Sequence, residues 1–125
     1  MRIQLGPEDR VQFEVLQWLK AKHSEVRKAT IKIDNEGNRS VQGHEKARVL
    51  GLYKGASDLF IAWPCNGHHG LWLEIKREGY KIKPNNPHII RQLRFIEHMT
   101  SLGYVGAIGI GVKNCKTIIT NYLKE

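Results

Sequence analysis

The chain has 125 residues, 41% hydrophobic and 26% charged, which suits one compact domain with a real core. Two cysteines are too few for a disulfide framework, and no apolar run approaches the roughly 20 residues needed to cross a bilayer. A formal net charge of +8 favours polyanionic partners, nucleic acid first. Acidic membrane surfaces are the weaker reading, because no lipidation signal or strongly basic amphipathic helix is present.

In chain order, Pro7 with Glu8 and Asp9 predicts a helix start, and Val11, Val15, Trp18 and Leu19 keep helical spacing to about Lys22. The segment before Pro7 lacks a signal-peptide core, so a reducing, cytoplasmic setting is expected. Ala29 to Ile33 alternates as a strand, followed by a turn at Asp34–Asn38. Ser40 to Leu50 predicts a short helix ended by Gly51. Strands follow at Asp58 to Trp63 and Leu71 to Lys76, joined through Pro64-Cys65-Asn66-Gly67 as a hairpin. Arg77 to Pro87 is a polar loop. His88 to Leu102 is a helix with Ile89, Leu93, Ile96 and Met99 or Leu102 on one side, stopped by Gly103. Tyr104 to Val112 is an apolar strand, and Lys116 to Leu123 a closing helix. The order α-β-(α)-β-β-α-β-α predicts a mixed β-sheet flanked by helices, of α/β class, in a single domain spanning 1–125.

The chemistry concentrates at Asp58 and, sixteen positions on, Glu74-Ile75-Lys76. Alternation along a strand puts Leu71, Leu73 and Ile75 on the core face and Glu74 with Lys76 on the other. In an antiparallel hairpin the start of one strand lies beside the end of its neighbour, which brings Asp58 towards Glu74. Two carboxylates at one strand end form an oxygen-rich site suited to Mg²⁺ or Mn²⁺, with the Ile75 carbonyl as a further ligand. An adjacent lysine suits orienting or deprotonating water for attack on phosphate. A plain surface ion pair is the competing account of Glu74 and Lys76. His68-His69 with Cys65 and Cys115 fits no standard zinc spacing, and the glycines of Gly106–Gly111 do not fit a dinucleotide fingerprint.

These motifs resemble the PD-(D/E)xK nuclease superfamily and, within it, the VRR-NUC family, notably its small stand-alone members. The family's Gly-x-Pro-Asp-Leu is matched by Gly55-Ala56-Ser57-Asp58-Leu59, and its Glu-x-Lys by Glu74-Ile75-Lys76. Asn35, Gly37 and Arg39 resemble its turn ending in arginine, and Trp63-Pro64 and His69-Gly70-Leu71-Trp72 the approach to its Glu-x-Lys strand. Gln92, Phe95, Met99 and Gly103 match its following helix, and Pro7-Glu8, Gln12, Trp18 and Leu19 its first. Two departures stand out: Ser57 replaces proline, and the stretch between Lys76 and Gln92 is long.

The resemblance implies a restriction-endonuclease-like fold and a Mg²⁺- or Mn²⁺-dependent DNA endonuclease. Asp58, Glu74, Lys76 and Gln92 are then the catalytic set, and Glu8, Asp58, Glu74 and Ile75 the metal set. Glu14 is an alternative to Glu8 on another face of the first helix; the spacing to Gln12 and Trp18 favours Glu8. Arg39, Lys54, Arg77, Lys81 and Lys83 are expected to contact DNA. The implied substrate is branched DNA, such as four-way junctions or flaps, cut by a homodimer. A non-catalytic DNA-binding module on the same fold and a sequence-specific restriction-type enzyme are the alternatives.

Overall fold

The computed structural model describes residues 3–34 and 41–124. Helix α1 spans Pro7–Lys22, with Pro7 in its first turn and Glu8 and Asp9 complementing the positive end of its dipole. Its buried stripe is Val11, Val15 and Leu19. A five-residue helix, α2 (Ser24–Lys28), follows after a break at His23; the sequence carries no periodic signal over so few residues. Strand β1 is Thr30–Lys32 and helix α3 is Val41–Val49. Then come β2 (Leu59–Ile61), β3 (Leu71–Lys76), α4 (Pro87–Ser101), β4 (Val105–Ile110) and α5 (Gly111–Leu123).

The four strands form one sheet in the order β1-β2-β3-β4. β1–β2 and β2–β3 are antiparallel, and β3–β4 is parallel, so the sheet is mixed and helix-flanked, as expected for a restriction-endonuclease-like α/β fold. The register Leu59↔Leu73 and Ile61↔Leu71 directs these four residues to one face. There they join Ile75 and the buried residues of α1 and α5, including Cys115, Ile119 and Tyr122, in a continuous apolar core. The other face carries Phe60 stacked on Trp72, ring centroids 4.3 Å apart, with Phe95 of α4 edge-on to Trp72. Among the described residues, no helix is long and apolar enough to cross a membrane.

Three expectations need correction. β2 is three residues long and ends short of Asp58 and Trp63, because the ladder to β3 stops at Leu59↔Leu73. β4 stops at Ile110, and α5 begins at Gly111 rather than Lys116; the Asn114 side chain accepts the Ile110 N–H at 2.8 Å and so secures the earlier start. On α4 the buried positions are Ile89, Gln92 and Phe95, while Leu93 is 44% exposed. The helix is thus rotated by about one position from the apolar stripe of its sequence. It buries a glutamine in place of a leucine, and the reason lies at the end of β3.

Candidate active site

β3 extends beyond its partner. Past Leu73 its edge on the β2 side has no backbone ladder, and Asp58 takes over that role. The Asp58 carboxylate Oδ2 accepts the Ile75 N–H at 2.7 Å, while its own carbonyl accepts the Ile33 N–H at 2.9 Å. The acid is therefore fixed from both sides at the point where the strands part. A charge-assisted bond of this length is strong, and it leaves the second carboxylate oxygen available.

The loop leading to Asp58 is seated by close packing. Gly55 has φ +91°, and a Cβ there would lie 2.9 Å from the Arg91 carbonyl oxygen. Only glycine meets both the left-handed backbone and that contact with α4. Ser57, which stands where the family pattern has proline, is buried, and its hydroxyl has no hydrogen-bond partner among the described residues.

Glu74 and Lys76 lie on the α4 side of β3, only 3% and 7% exposed. Their Oε2 and Nζ atoms are 3.7 Å apart. This removes the surface-pair reading. Burying two charges costs several kcal/mol per ion before their attraction is counted, which a solvated pair would not incur. Gln92 explains the rotation of α4: its Nε2 donates to Glu74 Oε2 at 3.2 Å. Its Oε1 is buried with no partner among the described residues, an acceptor suited to ordered water.

Asp58, Glu74, Lys76 and Gln92 are thus assembled at one strand end. Glu8 is exposed at the start of α1, on the helix side that carries Val11, Val15 and Leu19, since positions 8, 11, 15 and 19 share one face. Glu14 lies about 100° away from that face, by 3.6 residues per turn. Among the described residues, no three His, Cys, Asp or Glu side chains form a compact metal-binding group. Arg77, Lys81 and Lys83 line one cleft of about 500 Å³ with Gly79, Tyr80 and Asn86. Lys54 is separate, in a groove with His44 and Arg48. Arg39, Asn35 and Gly37 lie outside the described residues.

Two residues near the site are not singled out by sequence. Tyr80 places its ring 5.0 Å from Lys76 Nζ and 5.8 Å from Arg77 Cζ. Glu78 presents its carboxylate to Gly111 at the start of α5, where a Cβ would collide with it. The one available signal for Glu78 is that it is the single acid in the basic run from Lys76 to Lys83. Behind the site, burial pushes the Cys115 thiol from an ordinary 9.0 up to about 12, with the negative charges of Asp58 and Glu78 adding to the effect.

The donor chemistry fits a hard divalent cation. Mg²⁺ is commonly held by one or two carboxylates plus water and substrate phosphates, so Asp58, Glu74 and the Ile75 carbonyl are the groups that would hold it. The unpartnered Gln92 Oε1 beside them is consistent with a hydrated site.

No family model matches the sequence, and no curated protein matches it. Among solved structures, a VRR_NUC domain protein superposes with a TM-score of 0.74 at 25% identity, covering 96% of this chain and 90% of that one. That neighbour's fold is therefore shared over nearly the whole length of this chain.

Proposed function

We propose that this protein is a Mg²⁺- or Mn²⁺-dependent endonuclease that hydrolyses DNA phosphodiester bonds. The observation that carries the reading is the buried Glu74–Lys76 pair beside Asp58, whose carboxylate is locked onto the Ile75 N–H. A chain that only bound DNA would gain nothing from carboxylates against phosphates, which they repel.

In this reading Asp58, Glu74 and the Ile75 carbonyl would hold the metal, with Glu8 as a further ligand. When bound, the metal neutralises charge that builds on the phosphoryl oxygens. Lys76, as its ammonium, orients the attacking water and offsets the charge that develops on it, and the water's proton passes to solvent. The water oxygen bonds to phosphorus as the phosphorus–oxygen bond to the leaving nucleotide breaks, and solvent protonates that oxygen. Gln92 fixes the Glu74 carboxylate through its Nε2. Arg77, Lys81 and Lys83 bind the phosphate backbone beside the site, and Lys54 and Arg39 are further phosphate contacts in this reading.

The substrate we assign is branched DNA, four-way junctions or flaps, cut by a homodimer whose two sites nick related strands. The two free thiols suit a cytoplasmic setting. The test is incubation of the protein with duplex, single-stranded, flap and four-way-junction DNA in Mg²⁺, in Mn²⁺ and in EDTA, with sedimentation for oligomeric state. Metal-dependent cutting strongest on branched DNA is expected. Binding without cleavage would favour a non-catalytic module, and cutting at one duplex sequence would favour a restriction-type enzyme.

A further inference from the structure

The contact to Glu74 does not by itself pin Lys76. At 3.7 Å it lies beyond the 2.7–2.9 Å of a charge-assisted hydrogen bond. A four-carbon stem carrying a rotatable ammonium needs a second constraint to stay in one place. That constraint comes from the residue four positions on. Arg77-Glu78-Gly79-Tyr80 forms a turn closed by the Tyr80 N–H donating to the Arg77 carbonyl at 3.1 Å. Gly79 occupies its third position with φ +75°, the geometry of a type II turn, which requires glycine there. The turn reverses the chain directly after β3 and brings the Tyr80 ring back over Lys76 Nζ, 5.0 Å from centroid to nitrogen. The half-buried ring faces the guanidinium of Arg77 as well, whose Nη1 donates to the Glu78 carbonyl at 3.2 Å. Lys76 Nζ thus has both the Glu74 carboxylate and the Tyr80 ring face as neighbours.

We propose that Tyr80 is the positioning residue for Lys76, holding the ammonium by its ring face so that the reactive nitrogen stays beside Glu74. This rests on the nuclease reading above and adds to it a residue outside the acid–acid–lysine set. The phenol hydroxyl has no part in the contact; the ring does. A base-stacking role for the same ring makes the opposite kinetic prediction, because stacking acts on substrate affinity and positioning acts on turnover.

The experiment compares wild type with Tyr80→Phe, Tyr80→Leu and Gly79→Ala in Mg²⁺-dependent cleavage, separating kcat from KM. NMR of the Lys76 ε-methylene protons reads the ring directly through its upfield shift. Loss of a desolvated cation–π contact is expected to lower kcat about tenfold in Tyr80→Leu, with KM changed by no more than about twofold. Tyr80→Phe should retain wild-type kcat and the upfield shift, and Gly79→Ala, which strains the turn, should follow Tyr80→Leu. Raised KM with unchanged kcat in Tyr80→Leu would overturn the proposal in favour of base stacking. Identical ε-methylene shifts in wild type and Tyr80→Leu would overturn it as well. Wild-type cleavage with a normal Tyr80→Leu enzyme sinks this inference alone, whereas a wild type inactive on every DNA sinks the nuclease reading with it.

Discussion

The two faces of β3 are both buried, yet they are built for opposite purposes. Leu71, Leu73 and Ile75 pack into the apolar core under α1 and α5, where every side chain gains from leaving water. On the reverse, Glu74 and Lys76 are nearly as inaccessible beneath α4, where burial of charge opposes folding. One six-residue strand therefore carries a stabilising face and a destabilising one. The first offsets the cost of the second, and under the proposed function the second fixes the groups that the chemistry uses.

That contrast can be broken from the apolar side first. Leu73→Ala, next to Glu74 in sequence but opposite in direction, should cost about 2–5 kcal/mol, because it opens a cavity in fully buried surroundings. Denaturant unfolding measures the loss, and cleavage per folded molecule should stay near wild type. A large fall in activity without loss of stability would mean that the two faces are not separable.

The loop that seats Asp58 should give a smaller effect. Gly55→Ala meets both a positive φ and the Arg91 carbonyl at 2.9 Å, and strain of this kind costs about 1–3 kcal/mol. Because Asp58 follows within three residues, activity should drop with stability. Unchanged melting and activity would show that the loop does not depend on that close approach.

Cys115 reports weakly on how near the two faces come. Its thiol sits on the apolar side, held neutral by burial and by Asp58 and Glu78. The folded pKa is raised above the unfolded one, so this contribution to stability is full below pH 9 and is lost as pH climbs from 9.0 toward about 12. Wild type should therefore lose more Tm between pH 9 and 11 than Cys115→Ala does. Parallel curves would show that the thiol does not sense the site.

How far the sequence foretold this arrangement follows from which contacts are local. β3 and the pairing of its two faces were legible because alternation is a property of one strand. The antiparallel step to Asp58 was legible from the intervening turn. The rotation of α4 was not, since the apolar spacing of Ile89, Leu93 and Ile96 points elsewhere, and only the tertiary bond from Gln92 to Glu74 selects the buried side. The burial of Glu74 and Lys76 was hidden for the same reason: a charged strand face reads as solvated until a helix covers it. Tyr80 and Glu78 depend on a turn whose direction no periodicity encodes. The start of α5 was hidden by an apolar, glycine-rich stretch with strand composition on both sides of Ile110.

Asp58 offers the sharpest test of a metal-dependent nuclease site. Asp58→Asn preserves shape and keeps an oxygen able to accept the Ile75 N–H, while removing the charge that a divalent cation needs. The decisive measurement is the Mg²⁺-dependent cleavage rate of a four-way junction by wild type, Asp58→Asn and Lys76→Ala, with thermal melting of each protein alongside. Wild-type cleavage should vanish in EDTA, and rates should fall about 10²-fold or more in both variants. Asp58→Asn should keep a stability within about 1 kcal/mol of wild type. Cleavage at the wild-type rate by a folded Asp58→Asn protein would contradict a metal site built on Asp58.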